Sequence, residues 1–381
     1  MIESGIVISQ FRPSPEGHGG EHRAYQLRHD LESVLGQDRV EVISVGSGSG
    51  GQGKAPLGAR FARAIRRRTR RNLANPLRFA WGGLFDTTSW ATLQVRDSFR
   101  QALAAARGTC IILVGHVGLA DLVDLARQAL GRRALLVLSS HNLESLDAAW
   151  WPHLSRPQRL CAALDLLDEL SATSRFDRRI AISRVEASFL SGIGLGTEVH
   201  AYIPVGRIRE RLLAVRERRA GHSETSNVLL VLGSAVHPPT GRAVEAVIRR
   251  LLDSPPLRSC EIHLAGHGTQ RWQALDPAVT AHGWVSDGEL AELLVRARLV
   301  VAPHAGGFGA LTRLPELACA GIPVWAPLQA GWAQDLPPGV AIWNPAERGM
   351  PPVPSQCTTD QFDQWVEMQP QALAGLVRDV P

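Results

Sequence analysis

The chain has 381 residues, of which 45% are hydrophobic and 20% charged. This length is typical of two domains of roughly 150 to 200 residues each, and the apolar content excludes a globally disordered chain. Five scattered cysteines without a C-x-x-C pair indicate neither a zinc site nor a disulfide framework. The apolar runs are strand-sized and the first residues do not resemble a signal peptide, so we expect a cytoplasmic protein.

Positive charge is concentrated in one stretch of the chain. Lysine and arginine total 41 against 36 acidic residues, which gives a net charge of +5. Nine of these basic residues lie within residues 54–78, where no acidic residue occurs, and Lys54 is the sole lysine among them. Without those nine charges the net charge would be −4, so the rest of the protein is mildly acidic.

The first half of the chain alternates short β-branched runs with amphipathic stretches, which is the pattern of βα units around a parallel sheet. Strands are predicted at Gly5–Ser9, Val40–Val45, Cys110–Val114, Ala134–Leu138, Ile180–Ser183 and Glu198–Ile203. Helices are predicted at Glu21–Leu35, Trp90–Ala105, Leu119–Leu130, Gln158–Ser171 and Arg184–Ser191. Residues 1–206 are therefore predicted to form one Rossmann-like domain.

The same alternation resumes at Val228 and predicts a second Rossmann-like domain over residues 227–349. Its strands are predicted at Val228–Leu232, Cys260–Ala265, Val279–His282, Leu299–Ala302 and Val324–Ala326. Its helices are predicted at Arg242–Leu252, Asp287–Arg296 and Leu314–Ala320. The charged and polar residues 207–226 are predicted to link the two domains, and residues 350–381 to form a proline-rich spacer and one terminal helix.

Two successive parallel sheets imply a cleft, because ligands of such sheets bind at the carboxyl ends of the strands. After the first strand, the chain turns through Gly19 and Gly20 into a helix, where a phosphate or sugar could approach the backbone. A flexible glycine and proline loop is the alternative. His141 and Asn142 follow the fourth strand and either face the cleft or cap the next helix. Ser183 likewise either caps the following helix or lines the cleft.

Four glycine turns follow one another in the second half of the chain. They contain Gly233 and Ser234, then Gly266 and Gly268, then Gly283 with Trp284 and Val285, and finally Gly307, Phe308 and Gly309. A glycine-rich loop before a helix binds anions through backbone N–H groups. In that helix Arg313 could neutralise a diphosphate, and Glu316 could accept hydrogen bonds from a ribose diol. For any one of these turns, close backbone packing is the alternative, and for the last turn the alternative includes a glutamate at the surface.

The order of these motifs resembles the retaining GT-B glycosyltransferases, specifically glycosyltransferase family 4. The resemblance covers roughly Gly5 to Pro327 and is strongest from His282-Gly283-Trp284-Val285 to Gly321-Ile322-Pro323-Val324. It implies an α/β GT-B fold, in which two Rossmann-like domains face a cleft. It also implies retaining, metal-independent transfer of a sugar from a nucleotide-diphosphate sugar to a glycan or lipid-linked acceptor, as in polysaccharide biosynthesis, without a further cofactor.

The resemblance also assigns expected roles to residues of this chain. In the family the glycine-loop amides hold the diphosphate and the helix glutamate holds the ribose. The substrate-binding residues expected here are Gly19, Gly20, Asn142, Ser183, Gly233, Ser234, Trp284, Val285, Gly307, Phe308, Gly309 and Glu316. Arg313 is expected to stabilise charge on the departing diphosphate. His141 is the expected catalytic contact to the sugar, with His116 as the alternative.

The chain departs from the family in several places, two of them close to Glu316. The family has two glutamates eight positions apart, and the position eight before Glu316 is Phe308. The family's phosphate-binding lysine is absent, and Arg313 stands three residues before Glu316 in its place. Two alternatives to sugar transfer remain. One is a non-catalytic GT-B protein that binds a nucleotide or a partner. The other is a nucleotide-sugar epimerase, which would need acid and base carboxylates that the sequence does not point to.

The basic segment also allows more than one interpretation. Five of its arginines are spaced to share one face of a helix: Arg60, Arg63, Arg67, Arg70 and Arg71. A basic amphipathic helix is typical of peripheral contact with anionic lipid, here on the inner face of the membrane, at up to ~1 kcal/mol per basic residue. A solvated charged loop is the alternative. Nucleic-acid binding ranks last, because interleaved aromatic residues are missing.

Overall fold

The computed structural model describes residues 2–45, 91–140, 142–149, 156–220, 227–236, 238–257, 259–347 and 351–378. The basic segment 54–78, predicted to contact lipid, and His141, predicted to contact the sugar, lie outside these residues. Within the described ranges, no helix combines the length and the apolar character that crossing a bilayer requires.

The first sheet contains six parallel strands, as the alternating pattern predicts. They are β1 Ile2–Ser9, β2 Val40–Ser44, β3 Thr109–Val114, β4 Ala134–Ser140, β5 Arg178–Ala181 and β6 Glu198–Val199, in the spatial order β2-β1-β3-β4-β5-β6. The helices of this domain are α1 Gly19–Leu35, α2 Leu93–Ala105, α3 Leu122–Leu130, α4 Glu144–Ala149, α5 Arg156–Thr173 and α6 Arg184–Gly192. The central strand β3 is almost wholly apolar because it is covered on both faces.

The second sheet repeats this architecture with six further parallel strands. They are β7 Val228–Leu232, β8 Glu261–Ala265, β9 Val279–Gly283, β10 Ala297–Val301, β11 Val324–Ala326 and β12 Val340–Ile342, in the order β12-β11-β10-β7-β8-β9. The prediction missed β12, because this half-buried edge strand has only three residues, which is short for a strand signal. Helices follow as α7 Gly206–Arg219, α8 Pro238–Leu252, α9 Asp287–Arg296, α10 Arg313–Cys319 and α11 Leu328–Ala333.

Helix α7 occupies most of the range 207–226 that the sequence analysis predicts as a linker. Its apolar residues Ile208, Leu212 and Val215 recur at helical spacing and are buried in the core of the second domain. Its last residue, Arg219, is also buried and donates hydrogen bonds to the carbonyls of Leu294 and Ala297. The connection is therefore largely an integral helix of the second domain, despite its highly charged sequence.

The C-terminal residues form two helices where the sequence predicts one. They are α12 Thr359–Glu367 and α13 Ala372–Arg378, and Pro370 separates them because proline cannot continue a helix. Phe362 of α12 is buried in the core of the second domain, whereas Leu373 of α13 is buried in the core of the first. The C-terminal helices thus run from the second domain back to the first and connect the two domains.

We expect Leu373→Ala to destabilise the first domain, although Leu373 lies far from that domain in sequence. Leu373 is 0% exposed, and truncating a buried leucine to alanine costs about 2–5 kcal/mol. Leu93→Ala is the matched control, because Leu93 is 80% exposed and should change stability by less than about 0.5 kcal/mol. Denaturant unfolding of both variants measures the difference, and equal stabilities would contradict the assignment of α13 to the first core.

Candidate active site between the two domains

The carboxyl ends of the two sheets meet at close contacts between the domains. A Cβ atom at Gly19 would lie 2.2 Å from Oγ1 of Thr312, so only glycine allows the start of α1 to approach the second domain this closely. Beyond β5, the hydroxyl of Ser183 donates a hydrogen bond of 2.5 Å to the carbonyl of Phe308. Both contacts join residues of the predicted site to the loop that precedes α10.

Glu316 of α10 is hydrogen-bonded by two side chains of the first domain. The Tyr202 hydroxyl donates to Oε1 of Glu316 at 2.6 Å, and Nδ1 of His22 lies 2.7 Å from the same oxygen. Tyr202 follows β6, and His22 stands just after the glycine pair at the start of α1. The Glu316 side chain is 18% exposed. The two donors therefore fix the orientation of this carboxylate through one of its oxygens.

The charges in this cluster stabilise one another. Burial acts to raise the pKa of Glu316, but the neighbouring His22 and the Tyr202 hydrogen bond lower it below its usual value. Burial acts to lower the pKa of His22, and the Glu316 carboxylate outweighs that effect and raises it. Burial and Glu316 raise the pKa of Tyr202 well above 10, so its hydroxyl remains a donor.

Arg313 lies where three chain segments of the second domain converge. Its guanidinium donates a hydrogen bond of 2.5 Å to the carbonyl of Leu232, at the end of β7. Gly233 lies close to this guanidinium, since a Cβ atom added to Gly233 would be 3.4 Å from Nη1 of Arg313. Gly266 lies close to Gly233 in turn, since a Cβ atom added to Gly266 would be 2.2 Å from the Gly233 carbonyl oxygen. Burial lowers the pKa of Arg313, and Glu316 opposes that effect. The ends of β7 and β8 therefore form one surface with the first turn of α10.

The loop before α10 has a backbone that requires glycine. Gly306 and Gly307 have φ angles of 89° and 98°, which other residues rarely adopt. Gly307, Phe308 and Gly309 all lie in this partly exposed loop. The predicted anion-binding loop and Arg313 are thus adjacent in the fold as they are in sequence.

The structure separates the two interpretations of Ser183. This residue stands at the N-cap position of α6, yet its side chain makes no capping hydrogen bond and instead holds the Phe308 carbonyl. The adjacent Arg184 forms an ion pair with Asp335 of the second domain. Ser183 therefore lines the interface between the domains.

The remaining predicted residues have other contacts. The Gly20 N–H donates to Nδ1 of His18 at 3.1 Å and is part of the capping of α1. The Asn142 carbonyl accepts a hydrogen bond of 2.7 Å from the Ser140 hydroxyl. Trp284 is 64% exposed, with its ring centroid 6.2 Å from that of His267. None of these contacts involves Glu316 or Arg313.

Two more predicted residues lie in the second domain, close to residues already described. Ser234 directly follows Gly233 and is half-buried. Val285 packs against the core of the second domain.

Sequence reasoning missed the residues that the first domain supplies to Glu316. His22 lies two residues after Gly20, and Tyr202 lies within the last predicted strand of its domain, Glu198–Ile203, so both positions gave a usable signal. It also missed Arg211 of α7, which donates to the Pro15 carbonyl at 2.7 Å and forms an ion pair with Asp287. Arg211 thereby fastens the first loop of the chain to the second domain.

The sequence matches no family model and no curated protein. In structure, the chain is similar to HepE of Anabaena in complex with UDP and glucose, with 15% identity over 96% of this chain and 90% of that one and a TM-score of 0.54. It is similar to the UDP-forming trehalose-phosphate synthase of Burkholderia vietnamiensis, with 13% identity over 97% and 90% of the two chains and a TM-score of 0.55.

A third similar structure is the sucrose-phosphate synthase of Thermosynechococcus elongatus, with 15% identity over 86% of this chain and 82% of that one and a TM-score of 0.52. The fold is GT-B. The fold class predicted from the sequence is therefore confirmed, since both six-stranded parallel sheets and their placement across a cleft agree with these neighbours.

We expect the contribution of the His22–Glu316 pair to stability to fall at both ends of the pH range. His22 has a raised pKa in the folded protein, so its contribution is complete below 6.5 and is lost as the pH rises through the raised value. Glu316 has a lowered pKa, so its contribution is present above 4.5 and is lost as the pH falls through the lowered value.

Thermal unfolding from pH 4 to 9 checks this expectation. His22→Asn is the matched variant, because its amide can donate a hydrogen bond but does not titrate. The Tm difference between wild type and His22→Asn should shrink as the pH rises above 6.5. Parallel curves over the whole range would show that the pair is not ionised.

We expect Tyr202→Phe to lower the free energy of unfolding by about 1.5–3 kcal/mol, the range for a hydrogen bond to a charged group. Tyr25→Phe makes the same atomic change at the other tyrosine of the chain, whose hydroxyl lies near Gly206, and should have a smaller effect. Denaturant titration compares the two variants. An equal loss of unfolding free energy in both variants would contradict a hydrogen bond from Tyr202 to the Glu316 carboxylate.

Proposed function

We propose that this protein is a glycosyltransferase that uses a nucleotide-diphosphate sugar as donor and a glycan or lipid-linked alcohol as acceptor. The observation that supports it best is the oriented carboxylate of Glu316 at the domain junction, three residues from Arg313 and its glycine-rich loop. The similar HepE structures hold UDP, UDP with glucose, or UDP-glucose, which favours a nucleotide sugar as the donor. We further propose that transfer retains the anomeric configuration.

The ribose and the diphosphate of the donor each have a matching group in the second domain. Tyr202 and His22 both engage Oε1 of Glu316, so Oε2 is the oxygen that would accept hydrogen bonds from the ribose hydroxyls. Arg313 and the amides of the loop containing Phe308 would bind the diphosphate, because cations and backbone N–H groups stabilise phosphate oxygens.

The chemical step follows from this placement. The bond between the anomeric carbon and the diphosphate oxygen breaks, and its electrons go to the leaving diphosphate. The acceptor hydroxyl forms the new bond on the same face of the sugar, and its proton passes to the departing phosphate oxygen. Arg313 and the loop amides stabilise the developing negative charge. In this proposal the reaction needs no metal, and activity should persist in the presence of a chelator.

Phe308 favours a second candidate function, a GT-B protein that binds a nucleotide without transferring the sugar. A phenylalanine side chain cannot hydrogen-bond a donor sugar, and the Phe308 carbonyl is already bound by Ser183. The donor sugar must then be held by other groups, or it is not held for reaction. Measurement of turnover distinguishes the two candidates.

We expect one of UDP, GDP or ADP, or its glucose conjugate, to stabilise the protein in thermal unfolding. At 100 times its Kd, a ligand adds about 2.7 kcal/mol to the free energy of unfolding. Glu316→Gln should reduce that shift, because a neutral amide accepts hydrogen bonds from the ribose more weakly than a carboxylate. Glu198→Gln is the control at an exposed position of β6 and should retain the full shift.

The outcomes separate the candidates. A shift together with release of free nucleotide from the sugar conjugate in the presence of acceptor glycosides supports transfer. A shift without turnover supports the non-catalytic binding protein, and sugar isomerisation without transfer would indicate an epimerase. The absence of any shift with the whole panel would contradict a nucleotide site.

A further inference from the structure

The ends of β3 and β4 lie at the floor of the cleft, between the points where the two domains touch. In the sheet order, these strands stand between β1 and β5. The turn after β1 contacts the second domain at Gly19, and the turn after β5 contacts it at Ser183. A Cβ at Gly115 would lie 3.3 Å from the Ile8 carbonyl, so the turn after β3 is packed directly against β1.

A histidine and a glutamate from these two strand ends form a pair. His116 follows β3 and is 4% exposed, and its Nε2 lies 3.3 Å from Oε1 of Glu144, which follows β4. The Gly118 N–H donates to Nδ1 of His116 at 2.9 Å. Because Nδ1 accepts this hydrogen bond, the neutral imidazole has its proton on Nε2 and donates it to Glu144.

Glu144 is also fixed through its backbone. Its N–H donates to Oε1 of Glu169 at 3.2 Å, and the Ser145 N–H donates to Oε2 of Glu169 at 3.1 Å. Glu169 is buried, and burial raises its pKa to about 7. The side chain of Glu144, in contrast, is 34% exposed. The Glu144 carboxylate is thus partly exposed, and its position is fixed by His116 at the side chain and by Glu169 at the backbone N–H.

We propose that Glu144 binds a hydroxyl group of the glycosyl acceptor and that His116 positions it. The proposal rests on the proposed function, because it assigns the acceptor side of the same cleft. A carboxylate accepts a strong hydrogen bond from a hydroxyl and repels a phosphate. The acceptor group at this place is therefore an uncharged sugar hydroxyl. Arg313 and the glycine loop serve the donor on the opposite domain, so the two substrates contact different sheets.

The role of His116 follows from its two hydrogen bonds. Both ring nitrogens are engaged, Nδ1 by the Gly118 N–H and Nε2 by Glu144. In the neutral tautomer it therefore has no nitrogen available to accept the acceptor proton. Its effect on the acceptor is exerted through the orientation of the Glu144 carboxylate, so it is a positioning residue.

The test measures binding of a panel of n-octyl glycosides of glucose, galactose, mannose and N-acetylglucosamine. Saturation-transfer NMR is used at a saturating concentration of whichever nucleotide stabilises the protein. We expect at least one glycoside to bind wild type, with Kd raised at least tenfold by Glu144→Ala and less by Glu144→Gln. His116→Ala should weaken binding, and His116→Gln, which can still donate to Glu144, should restore part of it. Glucose 6-phosphate should bind no better than glucose.

The nucleotide-induced shift in Tm provides the control, since it should be unchanged in all four variants. A variant that unfolds without ligand is replaced by its glutamine counterpart. Failure of every glycoside to bind wild type, or binding that is indifferent to both glutamate variants, would overturn the proposal. So would stronger binding of glucose 6-phosphate than of glucose. If no nucleotide raises the Tm of the wild-type protein, the result would instead contradict the proposed donor site.

Discussion

The hydrogen bonds that converge on Oε1 of Glu316 are the interaction on which the arrangement of this site depends. A partly buried carboxylate without partners would be strongly unfavourable, and here both partners come from the opposite domain. The two domains are therefore held in register by the same carboxylate that faces the cleft. Glu316 thus belongs to the contact between the domains, and a ligand that engaged this carboxylate would act on that contact.

Other contacts reinforce that register without occupying the centre of the cleft. Gly19 brings α1 against Thr312, and Arg211 holds the carbonyl of Pro15. The C-terminal helices provide a covalent tie, because α12 packs in one domain and α13 in the other. The cleft is thus bounded by contacts on the β1 side and on the β5 side, which leaves the ends of β3 and β4 between them.

The position of Phe308 shows how the loop before α10 differs from the family that the sequence resembles. The family has a glutamate side chain at this position, whereas here the backbone carbonyl of Phe308 is the group that is bound, by Ser183. Ser183 is fully buried, and its hydrogen bond to the Phe308 carbonyl is partly buried. The loop is therefore held from the first domain through its backbone, and in the proposed transfer reaction other groups would have to recognise the donor sugar.

The sequence by itself determined the two parallel α/β domains and the glycine turns at the ends of their strands. These features are local: a strand covered on both faces needs a continuous apolar run, and a backbone with positive φ needs glycine. Every predicted strand overlaps a strand of the structure. The edge strand β12 and the helical character of residues 206–219 were not foreseen, because a short edge and a charged helix have weak local patterns.

Only the tertiary structure decided which side chains act together. His22 and Glu316 are 294 positions apart in the chain, and Tyr202 and Glu316 are 114 apart, so no local spacing could pair them. The same holds for Ser183, whose sequence context favours a helix cap equally well until the Phe308 carbonyl is placed beside it. Such contacts depend on the angle and distance between two domains, which the packing of α7, α12 and α13 fixes and which hydrophobic periodicity does not encode.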